Sequence, residues 1–233
     1  MTLEQSYSEV MAVLESYGTA QNRKVYKRHG AGDNLFGVSL VNLKKLQKQI
    51  KKDHQLAVQL WDSENTDART LATMIAKPQE MTEAMLDKWL SETAYYVLID
   101  LLAGNVVSKT IYAKPKMEEW MKSDDEWVGR AGWMLLAQLA MHDKDLPDSY
   151  FEEYLTTIEN SIHESKNRTR DAMNNALIAV GLRNDNLEKK ALGVAARIGK
   201  VDVDHGETSC KTPDAASYIK KARSRKKKNP ANR

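Results

Sequence analysis

Apolar residues recur every three or four positions along nearly the whole chain, the period of helices with one buried face. Residues 2–17 place Leu3, Tyr7, Val10, Met11, Leu14 and Tyr17 on one side, with Gly18 as a stop. Asn22 to Arg28 reads as a short basic helix closed by His29-Gly30. After the turn at 30–34 and Phe36-Gly37-Val38, Ser39 reads as the N-cap of a helix carrying Leu40, Leu43, Leu46 and Ile50 on one side. Asp53 caps another through Trp61, and a helix over 67–76 stops before Pro78. Helices are predicted over 82–90, from Lys114-Pro115 to near Met121, over 125–141, and from Pro147 through Ile158. Another covers 167–180 with Gly181 as its C-terminal stop, and the last clear one covers 186–198. Strand-like alternation is nearly absent, so the chain is expected to be all-α.

The stretch from Thr93 to Val107 is the most apolar in the sequence and holds one acid, Asp100. On a helix, residues four apart lie one above the other, so Tyr96, Asp100 and Gly104 share a stripe. A carboxylate among Val97, Leu98, Leu101 and Leu102 finds a partner or shifts its pKa, because an unpaired buried charge is costly. Asp100 is therefore either a structural ion-pair member or a functional acid.

The helices fall into pairs joined by short turns. The inner members begin alike, at Asp67-Ala68-Arg69, Glu126 to Ala131, and Arg168 to Ala172, each rich in small residues. With the central helix they start roughly 30–40 residues apart, the period of two-helix solenoid repeats such as HEAT. The predicted architecture is a right-handed HEAT-like α-α solenoid, a curved superhelix whose concave surface is lined by one helix of each pair. A plain helical bundle is the rival. The concave surface would carry Arg69, Tyr96, Asp100, Arg130 and the Arg170/Asn174/Asn175 cluster. Each arginine could meet a phosphate or a nearby acid such as Asp67 or Asp171, since its fork suits both.

Composition adds three constraints. At 233 residues with ordinary apolar content, the chain can bury a sizeable core. One cysteine, Cys210, rules out an intramolecular disulfide. No signal-like start and no apolar run of membrane-spanning length is present, which makes the cytoplasm the expected compartment. The net charge of +3 conceals an asymmetry: residues 220–233 hold eight basic side chains and no acid, leaving 27 basic against 32 acidic residues in 1–219, a net of −5. The tail is a candidate arm for nucleic acid or simply a solubilising, disordered terminus. The expected organisation is a helical repeat domain over 1–199, a turn and short helix over 200–219, and a basic, disordered tail over 220–233.

Asp202, Asp204, His205, Glu207 and Cys210 lie within nine residues. Such ligands can bind zinc, but no second Cys or His pair lies nearby, and the run reads more simply as a turn before a helix that starts near Thr212-Pro213. No metal and no cofactor is expected. His29, His54, His142 and His163 are scattered and read as surface or capping side chains.

Several short motifs resemble one family in order. Phe36-Gly37-Val38 before a Lys/Leu-rich helix, then Leu60-Trp61-Asp62, is similar to the N-terminal half of AlkD-type DNA alkylation repair glycosylases. The central helix resembles their catalytic helix, in which an aromatic residue sits four positions before an essential Asp, here Tyr96 and Asp100. Ser123 to Ala131 resembles the following repeat, whose Arg, here Arg130, contacts the DNA backbone. The resemblance spans roughly residues 20–195.

It implies a HEAT-like solenoid that holds double-stranded DNA and excises cationic bases of the 3-methyladenine and 7-methylguanine type; separately, a monomer without membrane contact is expected. Asp100 would be the catalytic residue, stabilising the sugar as it becomes oxocarbenium-like. Tyr96, Asn175, Asn174, Arg69, Arg130 and Arg170 would contact DNA. Two positions depart from the family pattern: Tyr96 stands for the usual Trp, and Asn175 stands where the sugar cleft has its second aromatic. The alternatives are a non-catalytic HEAT-repeat protein that binds DNA structure or damage, and a protein-interaction scaffold.

Overall fold

The structure, a computed structural model, describes residues 6–228. Leu3 and the last five residues of the basic tail, with Arg233, lie outside the described residues. Among the described residues the secondary structure is thirteen α-helices and two 3₁₀ turns, with one isolated bridge between Gly18 and Val38. Contacts divide the chain into two units, one running to Ala113 and taking in Gly206–Thr208, the other formed by Lys114–His205 and the residues from Ser209 onward.

The first unit contains α1 (Tyr7–Tyr17), α2 (Ala20–Arg28), α3 (Leu40–Ile50), α4 (His54–Asp62), α5 (Thr66–Ile75), α6 (Glu83–Ser91) and α7 (Tyr96–Asn105). Polar side chains start most of them: Ser39 accepts the Asn42 N–H, Asp53 that of Leu56, and Asn65 those of Asp67 and Ala68. Helix α5 is the centre, packing on α3, α4 and α7. Its small and apolar residues Ala68, Leu71 and Ala72 are wholly buried. Trp61 of α4 and Trp89 of α6 stack face to face with centroids 4.2 Å apart. Phe36-Gly37-Val38 turns its three backbone N–H groups onto the carboxylate of Asp67 at 2.7, 2.8 and 2.9 Å. The motif is therefore an anchor between the loop before α3 and the start of α5.

The second unit contains α8 (Ala113–Trp120), α9 (Glu126–His142), α10 (Asp148–Ser161), α11 (Asn167–Arg183), α12 (Asp185–Ile198) and α13 (Ala215–Lys228). Its core is the long contact between α9 and α11, with α12 and α13 packed on α11. Gly132 permits the close approach of α9 to the end of α8, because a Cβ there would lie 2.5 Å from the Met121 amide nitrogen.

Two boundaries differ from those predicted. Helix α11 does not stop at Gly181 but runs to Arg183. Gly181 makes room for a neighbour instead: a Cβ on it would lie 2.6 Å from Ile219 Cδ1 and 3.0 Å from Ala191 Cβ. The helix expected near Thr212-Pro213 continues to Lys228, so the divide placed at 219/220 falls inside α13. Ile219 is fully buried, and Arg223 pairs with Glu188 at 3.0 Å and with Asp185, which fixes the helix on α12. No helix among the described residues is long and apolar enough to cross a membrane.

Candidate nucleic-acid interface

Helix α7 begins at Tyr96, with Tyr95 as a cap that offers no side-chain hydrogen bond. Leu98, Ile99, Leu102 and Ala103 face inward and are buried, while Tyr96, Asp100 and Gly104 are half-exposed on the other side. The stripe read from the sequence thus points away from the core. Asn105 Nδ2 donates to Thr73 Oγ1 at 3.2 Å and fixes the end of α7 against α5. Burial pushes the neighbouring Tyr95 phenol well above its usual range, so it stays neutral.

Tyr96 has a partner that the sequence did not suggest. The backbone of His29 closes α2, and its Nδ1 lies 2.5 Å from the Tyr96 hydroxyl. The rings are 6.0 Å apart and tilted by 48°. The Tyr95 and Tyr96 rings meet in a T-shaped arrangement with centroids 5.9 Å apart. The phenol is therefore held in place one turn before the Asp100 carboxylate. A carboxylate set so, with an aromatic face nearby, can stabilise a cation placed against α7.

The arginines are engaged by the chain itself. Arg69 Nε donates to the Trp61 carbonyl at 3.0 Å and Nη1 to the Glu92 carbonyl at 2.7 Å, with the guanidinium over the Trp61 ring and near the Glu92 carboxylate. Arg170 donates to four carbonyls, those of Ile162, His163, Ser165 and Asp202, at 2.8 to 3.2 Å. Most of these oxygens sit at helix C-termini, where carbonyls lack intrahelical partners and the dipole favours a cation. Arg130 is 1% exposed and pairs with Asp171 at 2.8 Å, the acid among the partners weighed for it. It also donates to the Arg168 carbonyl at 3.1 Å.

Asn174 is fully buried and Asn175 half-exposed. Asn167, Arg170 and Asn174 form one face of α11 that holds the segment before α13. Asn167 exchanges two hydrogen bonds with the Asp204 backbone at 2.7 and 2.8 Å, Arg170 reaches Asp202, and Asn174 Nδ2 donates to the Pro213 carbonyl at 3.0 Å. His205 Nε2 and Thr212 Oγ1 lie 3.0 Å apart within the same segment. Among the described residues no three His, Cys, Asp or Glu side chains gather as a metal-binding group. Of the seven residues expected at a DNA surface, Arg69, Tyr96 and Asp100 belong to the first unit, and Arg130, Arg170, Asn174 and Asn175 to the second.

The sequence matches the profile of the DNA alkylation repair enzyme family over residues 10–219. It is 34% identical to the uncharacterised protein Lin0241 of Listeria innocua over 232 residues, 97% of this chain and 99% of that protein. It is also 34% identical to the uncharacterised protein Lmo0209 of Listeria monocytogenes, over 97% of this chain and all of that protein. One solved structure is similar with a TM-score of 0.87 and 31% identity, over 95% of both chains. That protein is described as one of a new family related to the HEAT-like repeat DNA glycosylases with affinity for branched DNA structures. The helices described above thus form a HEAT-like repeat fold, and the chain belongs to the DNA alkylation repair enzyme family.

Proposed function

We propose that this protein binds DNA and prefers branched structures to plain duplex. The observation that carries this reading is the similarity, over 95% of both chains, to a protein described as having affinity for branched DNA. Two features of the chain agree with it. Lys220, Lys221 and Arg225 lie on α13, which brings cations to the phosphate-rich partner without a base-reading motif. Asn175 stands where the resemblance places a sugar-facing aromatic, and an amide has no aromatic face to support a sugar cation. A mobility-shift titration of a four-way junction against a duplex of equal length tests the reading. The junction is expected to bind about tenfold more tightly, a difference of about 1.4 kcal/mol. Both affinities should fall as salt rises. Equal affinities would sink the preference.

Asp100 favours a second reading, excision of cationic N-alkylated purines from double-stranded DNA. Asp100 is half-exposed on α7, one turn from a Tyr96 held by His29. A lesion that already carries positive charge needs little help to leave; the barrier is the developing sugar cation, which a fixed carboxylate stabilises. In this reading Asp100→Asn folds normally and releases methylated base about 10²–10³ times more slowly than wild type. Release at the same rate in the variant would remove Asp100 from the chemistry. No release from wild type, with junction binding intact, would leave the binding role alone.

A further inference from the structure

Residues 199–205 and 210–215 cross the Asn167/Arg170/Asn174 face of α11 and line a cleft of about 570 Å³ within the second unit. One group in its lining is chemically incomplete. Asn174 is 0% exposed, its Nδ2 donates to the Pro213 carbonyl, and its Oδ1 has no hydrogen-bond partner. The Pro213 carbonyl fixes the amide, because the reverse orientation would set two acceptors against each other. Oδ1 is therefore an acceptor that lacks a donor, and such buried groups are rare in folded proteins.

We propose that this cleft receives the base of an unpaired nucleotide, with Asn174 Oδ1 accepting from an N–H on the base edge. The proposal rests on the DNA-binding reading above and names the part of the DNA that reaches this site. The volume is in the range of small-molecule clefts. Val201 and Pro213 give apolar wall for the faces of a ring, and the exposed Lys211 supplies a cation for the attached phosphate. Every base carries an N–H on its Watson–Crick edge, and that edge is open only when the base is unpaired. Branched DNA offers such bases at its junction. The site reads the presence of a base, not its identity.

Cys210, the single cysteine of the chain, is exposed and lines the cleft, so its alkylation reports occupancy. The full chain is treated with iodoacetamide alone, with dCMP, with a short deoxycytidine oligonucleotide, and with an abasic oligonucleotide of the same length. Junction mobility shifts are run on the same preparation. The base-bearing ligands are expected to slow alkylation about tenfold at saturation by blocking access, and the abasic strand to leave the rate unchanged. Asn174→Leu, checked for wild-type helicity by circular dichroism, is expected to weaken the protecting ligand about tenfold, the worth of one buried hydrogen bond. Equal protection by the abasic strand would overturn the proposal, because phosphate alone would then account for it. No protection, with the junction still shifted, would overturn the cleft and spare the branched-DNA reading. Protection by dCMP without any junction shift would uphold the cleft and overturn that reading.

Discussion

An Asp67→Ala protein is expected to unfold at much lower denaturant concentration than wild type, with a loss of about 3 kcal/mol or more. The side chain is an acceptor for three backbone N–H groups, those of Phe36, Gly37 and Val38. Asp67 itself is 2% exposed. Removing the carboxylate strands donors in a buried setting, at about 1–3 kcal/mol each. Against a total stability of about 5–15 kcal/mol, that is a large share. The loop cannot easily turn its amides elsewhere. Gly37 has φ +79°, and a Cβ on it would lie 2.6 Å from the Thr19 carbonyl oxygen, so the backbone is held in the one arrangement that only glycine fits.

Asp67→Asn keeps one acceptor but points an NH₂ at the same donors, and a smaller loss is expected. Midpoints and slopes from urea unfolding check both variants; a loss below about 1 kcal/mol for the alanine variant would refute the account. The pH dependence has a definite sign. Burial raises the Asp67 carboxyl above its ordinary 3.8, and the three amides oppose that rise without cancelling it. The folded state therefore holds the proton more tightly than the unfolded one. This contribution to stability is greatest below the ordinary value, declines as pH rises through the raised one, and is flat above it.

This anchor also shows what was legible in the sequence. Phe36-Gly37-Val38 stood out as a motif, and Asp67-Ala68-Arg69 as a helix start, but nothing in the chain says that thirty residues of separation close into one hydrogen-bonded nest. The helices themselves were legible because burial imposes their period, and the caps at Ser39 and Asp53 because a side-chain oxygen must meet the first N–H groups. Helix ends set by neighbours were not. Gly181 has the composition of a stop, yet its missing Cβ serves the approach of Ile219. The basic run reads as a tail until Arg223 is seen paired with Glu188 and Asp185.

The candidate site divides in the same way. The α7 stripe follows from spacing alone. The hold of His29 on Tyr96 does not, because the two lie 67 positions apart. The acceptors of Arg69 and Arg170 are mostly backbone carbonyls, which every residue carries, so no residue type could mark them.

Arg130 and Asp171 give the other large effect, because here a charge lies inside the protein. The ion pair joins α9 to α11, the main contact of the second unit, with 2.8 Å between Nη1 and Oδ2. Asp171→Ala is expected to cost about 3–5 kcal/mol, since it removes the acid paired at 2.8 Å with a guanidinium that is 1% exposed. Arg130→Met replaces the cation with an apolar chain of similar length. Combined with Asp171→Leu, it is expected to recover most of the loss, because the desolvation of both charges disappears together. A double-mutant cycle on unfolding free energies measures this coupling directly. Near-additive losses would mean that the two side chains act separately and that the pair does not hold α9 on α11. Junction affinity of the folded double variant then asks a different question of the same guanidinium. A drop there, with stability restored, would give Arg130 a phosphate to hold when DNA is bound as well as an acid to neutralise when it is not.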